Sequence, residues 1–459
     1  MENKERSLSL TFVRGARSVT GANFLLEAAD TGRTARILVD CGLKQGARFC
    51  ESGNSKPFPY DPKKIDAMFV THAHADHIGL IPKLVKDGFR GPIYGTAPTI
   101  GLASVMLADS ASLIAREAKV CHDEPPYIPE DVEPALQYSE ARKYGHAVSI
   151  GPFTVTLFNA GHILGSALVL VEVFGRRILF TGDLGRTPAI IVPDPEPPKG
   201  QLDYLITESV YGNRVHEAAE KSDADLLAAI RRIQKKRGTL LIPSFSLERT
   251  QIVLAIIDRA ITEGKLAPLP VFLDSPLAIK VTELYKEHHA FLREDLQELL
   301  QKGDDPFSFP SLNVSYTKED SKAVNEAAPP KVIIAGAGMS HGGRVRSHER
   351  IYLPGRENEL LLVGYQVPGS LGRRLQDGAR EVTIDKKKVK VRAKISKTGG
   401  FSAHADRDDL VAFAEAVNPK EAFVVLGEME SSAFLAQRLS GFLGIKATVP
   451  QEGERVELL

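Results

Sequence analysis

Thr71-His72-Ala73-His74-Ala75-Asp76-His77-Ile78-Gly79 is the stretch whose reading decides the fold. From His72 to His77 it carries three imidazoles and one carboxylate. The apolar run before it, Ala67-Met68-Phe69-Val70, reads as a short buried strand, and apolar side chains from Ile78 to Val85 recur at helical spacing. The ligand-type side chains therefore sit on a strand-to-helix loop, where they can converge on a point. Imidazole nitrogen with carboxylate oxygen suits zinc and similar divalent ions. Three His and one Asp exceed the three protein ligands of an ordinary catalytic zinc, so the stretch points to two metals.

The whole chain bounds this reading. Its 459 residues are more than one hydrophobic core usually supports, so two domains are expected. Hydrophobic residues at 43% and charged residues at 25% are ordinary for a globular protein. Lys plus Arg equals Asp plus Glu at 58 each, so any nucleic-acid contact has to come from a local patch. Cys41, Cys50 and Cys121 have no CxxC spacing and read as thiols of a reducing compartment. The N-terminus is polar, without an apolar signal core, and no stretch reads as long and apolar enough to cross a membrane. A cytoplasmic protein with no membrane partner is expected.

Further candidate ligands recur where apolar runs end. Phe153 to Asn159 reads as a strand running into Ala160-Gly161-His162-Ile163-Leu164-Gly165-Ser166. Arg177 to Phe180 runs into Thr181-Gly182-Asp183, whose carboxylate has two oxygens and can bridge two ions. Arg36 to Val39 ends at Asp40, and Leu202 to Thr207 ends at Glu208. A carboxylate at the end of a buried strand is unfavourable unless it is paired.

From about 209 to about 374, helical periodicity alternates with short apolar runs, the pattern of a small, mostly parallel sheet. Three strand-end loops there, at Ser244 to Arg249, at Ser275, and at Ser340 and His341, are rich in small or hydroxylic residues ahead of helices. Backbone N–H groups and the helix dipole at such places suit phosphate, although ordinary helix caps look the same. Residues 380–397 are locally basic, either a lysine-guarded edge strand or a stripe that follows a nucleic-acid backbone.

HxHxDH after a hydrophobic strand resembles the signature of the metallo-β-lactamase fold hydrolases. Glu208-Ser209-Val210-Tyr211-Gly212 and Gly400-Phe401-Ser402-Ala403-His404-Ala405-Asp406-Arg407 resemble the first two motifs of its β-CASP branch, the RNA- and DNA-processing nucleases. The blocks PSFSLERTQ, DSPLA, GMSHGGR and GYQVPGSLGRR are similar to segments of the RNA-directed members, so the resemblance covers essentially the whole chain. It implies an α/β protein, with an αββα sandwich from residues 1–208 and 375–459 and a β-CASP α/β domain inserted at 209–374. It implies one zinc on His72, His74 and His162, a second on Asp76 and His77, Asp183 bridging them, and Asp40 holding the loop from behind. It also implies that Asp76 orients the attacking water and that His404, paired with Glu208, protonates the leaving 3′-oxygen. Ser244, Arg249, Ser275, Ser340, His341 and Arg374 are the expected substrate contacts, and a homodimer is expected by analogy.

The third motif departs from the family. Leu426 precedes Gly427-Glu428, where RNA-directed members usually carry a His that completes the second metal site and DNA-directed members an apolar residue. The second zinc thus lacks one expected ligand, and the simplest argument for RNA over DNA goes with it. The expected activity is a zinc-dependent ribonuclease acting on single-stranded RNA as an endonuclease, with 5′ exonuclease action as a further mode. A DNA-directed nuclease, a small-molecule metallo-hydrolase and a non-catalytic scaffold are the alternatives, and manganese is the alternative to zinc.

Overall fold

The structure is a computed structural model that describes residues 6–45 and 51–459; the expectations for Cys50 and for the first five residues lie outside the described residues. The chain divides into two compact units, residues 1–215 with 404–459, and residues 216–403.

The first unit is built on two seven-stranded sheets. One runs in the order Arg455–Glu457, Ser7–Arg14, Asn23–Asp30, Arg33–Val39, Ala67–Phe69, Ile93–Gly95, Ser139–Ala141. The other runs Lys446–Thr448, Pro419–Val424, Leu202–Thr207, Arg176–Phe180, Ala167–Val173, Phe153–Asn159, Val148–Ile150. Strand side chains alternate between faces. Leu8, Leu10 and Phe12 on one sheet thus share a core with Val169, Val171 and Phe180 on the other. The intervening Leu168, Leu170 and Leu179 face the opposite way and pack with Leu410 and Phe413 of helix Arg407–Val417 and with Leu435 and Leu439 of helix Met429–Leu443. The mixed α/β class expected from the sequence is the observed one.

Two expectations fail here. Helix Ala97–Cys121 is, by length and composition, long and apolar enough to cross a membrane. In this fold it buries one stripe, including Leu102, Leu107, Ala111, Ile114 and Ala118, at the spacing of an amphipathic helix. Cys121 is disulfide-bonded, whereas Cys41 is a buried free thiol. The expectation of reduced thiols rested on local spacing alone.

Strands that deliver site residues end together. Phe180 pairs in parallel with Ile206, and Thr207 with Val424, so the segments after them emerge side by side. Asp40 N–H donates to Phe69 O at 2.9 Å, and Ala167 N–H donates to Thr71 O at 2.7 Å. Close approach demands glycine at two points. A Cβ at Gly42 would lie 1.6 Å from Asp76 O, and one at Gly185 would lie 1.9 Å from Gly161 O. The first glycine seats the His-rich loop; the second lets the His162 and Asp183 segments touch.

The second unit has a six-stranded parallel sheet in the order Leu312–Val314, Val271–Leu273, Lys331–Ala335, Thr239–Pro243, Glu359–Leu362, Lys394–Lys397. Its central strands are buried from end to end, which is why, after a polar first residue (Thr239, Lys331 or Glu359), they run apolar and do not alternate. The sequence places the return to the first domain at residue 375. Lys394–Lys397 still pairs with Glu359–Leu362, so the second unit keeps the chain to Ala403.

Glu248, at the head of helix Arg249–Thr262, is buried and accepts a hydrogen bond from the Tyr285 hydroxyl. Burial pushes its carboxyl up from 4.5 to about 8, although Tyr285 and Arg249 favour the charged form. The folded state therefore binds a proton that the unfolded state releases, and stability falls as pH rises from about 4.5 to 8. Glu248→Gln keeps an acceptor for Tyr285 and removes the titration. The unfolding free energy of the wild type, relative to this variant, is expected to drop between pH 4.5 and 9 by up to roughly 4–5 kcal/mol. Denaturant melts of both proteins across that range check this, and parallel curves would refute it.

Candidate metal centre

Each ligand-type side chain of the first unit sits just past a strand end. His72, His74, Asp76 and His77 follow Ala67–Phe69; His162 follows Phe153–Asn159; Asp183 follows Arg176–Phe180. Two groups of potential ligand atoms form among the described residues: His72 with His74, His162 and Asp183, and Asp183 with Glu208 and His404.

The first group has the dimensions of a tetrahedral site. His72 Nε2 lies 3.0 Å from His74 Nδ1 and 3.3 Å from Asp183 Oδ2. His162 Nε2 lies 3.3 Å from His74 Nδ1 and 3.5 Å from Asp183 Oδ2. Ligand atoms bound tetrahedrally at about 2.0–2.1 Å from zinc are spaced about 3.3–3.4 Å apart. Protonation states match as well. Burial lowers the basicity of His72, and lowers that of His74 and His162 far below normal, so these rings present neutral nitrogens. Burial alone would protonate Asp183, but the His77 and His72 rings outweigh it and hold the carboxyl well below the usual range. Neutral imidazoles and an ionised carboxylate are the forms that bind a divalent cation.

The other oxygen of Asp183 faces a second position. Oδ1 lies 3.3 Å from His77 Nε2, a buried atom with no hydrogen-bond partner. His77 Nδ1 lies 2.7 Å from Asp40 Oδ2, which fixes the ring. With Nδ1 carrying its proton to Asp40, Nε2 presents a lone pair toward a carboxylate oxygen, and a cation must stand between them, either a proton or a metal. Burial works against a charged His77, but Asp183 and Asp40 win and raise its pKa well above normal. Asp76 is half-buried, its carboxyl pushed up by burial, and it does not join a group of three ligand atoms. Leu426 is buried in the core between the two sheets at φ 50°. A Leu in the left-handed region is strained, and the hydrogen bond from its N–H to Gly15 O at 2.8 Å holds it there.

Asp40 lies behind the His-rich loop. Fully buried, it accepts hydrogen bonds from Thr71 N–H at 2.8 Å and Thr71 Oγ1 at 2.7 Å besides facing His77. Sequence reasoning missed Thr71, whose hydroxyl also lies 3.0 Å from His72 Nδ1. Its signal was there, a hydroxyl residue between the strand and the first His. Ser166 was also missed as a positioning group; its Oγ accepts from His162 N–H at 3.0 Å and Ile163 N–H at 3.2 Å, which shapes the loop.

Glu208 and His404, 196 residues apart in sequence, are brought together with His404 Nδ1 3.3 Å from Glu208 Oε1 and 3.9 Å from Asp183 Oδ2. Gly185 and His404 form an isolated antiparallel bridge, and Ala405 N–H donates to Leu184 O at 2.6 Å. Glu208 is fully buried and accepts from Leu184 N–H at 2.6 Å. Burial opposes a charged His404, but Glu208 and Asp183 outweigh it and raise the ring to about 9.

The six expected substrate contacts all fall in the second unit. Ser275 caps helix Pro276–Glu287, the Ser244 hydroxyl accepts from Thr250 Oγ1 at 3.1 Å, and an Arg249 guanidinium N–H donates to Val363 O. Ser340 is buried, whereas His341 and Arg374 are exposed. Ser275 Oγ and Ser246 Oγ come within 3.2 and 3.7 Å of where a Gly336 Cβ would stand, so three of the strand-end loops meet.

Comparison with known proteins gives three family matches: the metallo-beta-lactamase superfamily over residues 22–244, the Beta-Casp domain over 250–375, and a Zn-dependent metallo-hydrolase RNA specificity domain over 388–450. A ribonuclease of Thermus thermophilus is 37% identical over 96% of this chain and 98% of its own length. An RNase J-like protein of Methanocaldococcus jannaschii is 32% identical, covering 91% of this chain and 93% of its own. A transcription termination factor, FttA, of Methanosarcina mazei is 30% identical over all of this chain and 72% of its own. A crystal structure of a protein of unknown function from Enterococcus faecalis shares the fold, with a TM-score of 0.58 at 14% identity over 98% of this chain and 100% of that one.

Asp40→Asn removes the anion that orders Thr71 and His77. Metal affinity is expected to fall about 10- to 100-fold, read by chelator competition on the zinc-loaded protein. Unchanged affinity would separate Asp40 from the site.

Proposed function

The chain belongs to the β-CASP branch of the metallo-β-lactamase superfamily, and from that premise we propose that it is a two-zinc ribonuclease that hydrolyses phosphodiester bonds of single-stranded RNA. One observation carries the reading: His72, His74, His162 and Asp183 present ligand atoms at tetrahedral spacing, with the Glu208–His404 pair beside Asp183. RNA in preference to DNA is supported by relatives named as a ribonuclease and an RNase J-like protein, and by the RNA specificity domain match. Leu426 supplies no ligand, so the second position draws on His77, Asp183 and Asp76. Zinc as the metal, two ions per chain and a homodimeric assembly are part of this proposal.

The residues divide the work. His72, His74, His162 and Asp183 would hold one cation, and His77, Asp76 and Asp183 would hold a second. Asp76 orients the attacking water. A divalent cation here supplies an activated water and neutralises charge on the phosphoryl group. His404, whose charged form the neighbouring Glu208 favours, delivers its proton to the 3′-oxygen as the phosphorus–oxygen bond breaks, which leaves a 5′-phosphate. Burial of Glu208 and its bond from Leu184 N–H fix the imidazole for that transfer.

Single-stranded RNA labelled at either end tests this. The zinc-loaded protein is expected to cut it, with loss of cutting in chelator and in Asp183→Ala. His404→Ala is expected to lower kcat about 10²- to 10⁴-fold while zinc content is retained. The fragment ladder separates internal from end-on cutting. A metal-loaded protein that leaves RNA intact overturns the proposal.

A further inference from the structure

Residues 380–397 hold eight Lys and Arg against Glu381 and Asp385, in a chain whose net charge is zero. The structure organises this excess. Glu381–Ile384 and Lys387–Lys390 form a hairpin. Val382, Ile384 and Val389 enter the core with Leu353 and Leu375. Period-two alternation then puts Lys388 and Lys390 on the exposed face. Its two-residue turn, Asp385-Lys386, has φ of 48° and 65°, the left-handed pair of a tight hairpin. Asp385 is engaged by Arg346 at 3.0 Å and Arg350 at 3.2 Å, which fastens the turn to helix Val345–Tyr352. Of the two acids, one is thus committed to structure, and Glu381 has Lys388 at 3.5 Å.

Beside the hairpin lies an open depression of about 670 Å³ lined by Arg356, Arg380, Glu381, Lys390, Val391 and Arg392. Its backbone is fixed: Val391 N–H donates to Arg380 O and Arg392 N–H to Leu353 O, each at 2.8 Å. Among the described residues, the charged groups of Arg356, Arg380, Lys390 and Arg392 form no ion pair. A lysine-guarded edge strand accounts for Lys388 and Lys390. It does not account for Arg356, which arrives from a separate loop, or for Arg380 and Arg392, which flank the strands. Like charges gathered around one depression repel and call for an anion. The planar forks of three guanidiniums can each donate two hydrogen bonds to phosphate oxygens. No aromatic side chain is among the lining residues, which favours phosphate contact over base readout.

We infer that this depression is a non-catalytic site for the phosphate backbone of single-stranded RNA, which grips long substrates in a sequence-independent way. The inference rests on the ribonuclease reading for the identity of its polyanion. The full-length zinc-loaded protein and the triple variant Arg380→Gln, Lys390→Gln, Arg392→Gln are compared by fluorescence anisotropy on a nuclease-resistant phosphorothioate RNA 20-mer. Salt is varied, and turnover of bis(p-nitrophenyl) phosphate is measured in parallel. The variant is expected to bind the 20-mer about tenfold more weakly at low salt, with a log–log salt slope smaller by about 2, and to turn over the small ester as the wild type does. Equal affinity and slope overturn the inference, as does weaker binding with an unchanged slope, or an RNA affinity that depends on the site only when an acidic polypeptide competes. If the wild type does not cut RNA but the variant still loses affinity and slope, the catalytic reading falls and this site stands.

Discussion

A carboxylate buried at a strand end has to be compensated, and Asp183 imposes that constraint on the first unit. With four imidazoles around it, it stays ionised where water cannot solvate it. Each of those rings comes from a different place in the chain or a different turn of the same loop. Gathering them requires the parallel pairing of Arg176–Phe180 with Leu202–Thr207 and the hydrogen bond from Ala167 to Thr71 that ties the sheets. A group of like-charged or lone-pair-bearing rings around one anion is poor as a structural device on its own. It becomes favourable when cations share the centre, which is why the arrangement speaks for metal chemistry more strongly than any single His does.

Asp40 is the counterpart on the other side of the loop. It has no solvent contact, and it accepts from both groups of Thr71 while setting the His77 ring. The His-rich loop is therefore held by backbone and hydroxyl bonds as well as by its own fold, and its side chains are aimed before an ion arrives. Gly42 is part of the same device, because any side chain there would occupy the space of the Asp76 carbonyl. Glu208 plays the matching role for His404.

Much of this was legible in sequence because each chemical group follows an apolar run at a strand end. HxHxDH, GH, GD and the Glu208 segment all carry that mark, and the sandwich was implied by the family resemblance those motifs carry. The second unit was legible for the opposite reason: after their polar first residues, Thr239–Pro243 and Lys331–Ala335 run apolar without alternation, as strands buried on both faces do. What failed to show were groups without a distinctive residue type. Thr71 and Ser166 position the ligands through hydroxyls that look like ordinary turn residues. The pairing of Lys394–Lys397 with Glu359–Leu362, which extends the second unit to Ala403, depends on a partner distant in the chain, which local spacing does not reveal.

The sequence by itself determined the chemistry available: the ligand types, their place after buried strands, and the loss of a ligand at Leu426. Only the tertiary structure decided which of those groups meet. It set His72, His74, His162 and Asp183 at tetrahedral spacing, turned the second oxygen of Asp183 toward His77, and joined Glu208 to His404 across 196 residues. It also placed Arg356 beside a hairpin that sequence could describe only as a basic strand. The physical reason is the same in each case. Residue type fixes what a group can bind, but charge compensation and coordination act over a few ångströms, and distances on that scale between remote segments exist only once the sheets have packed.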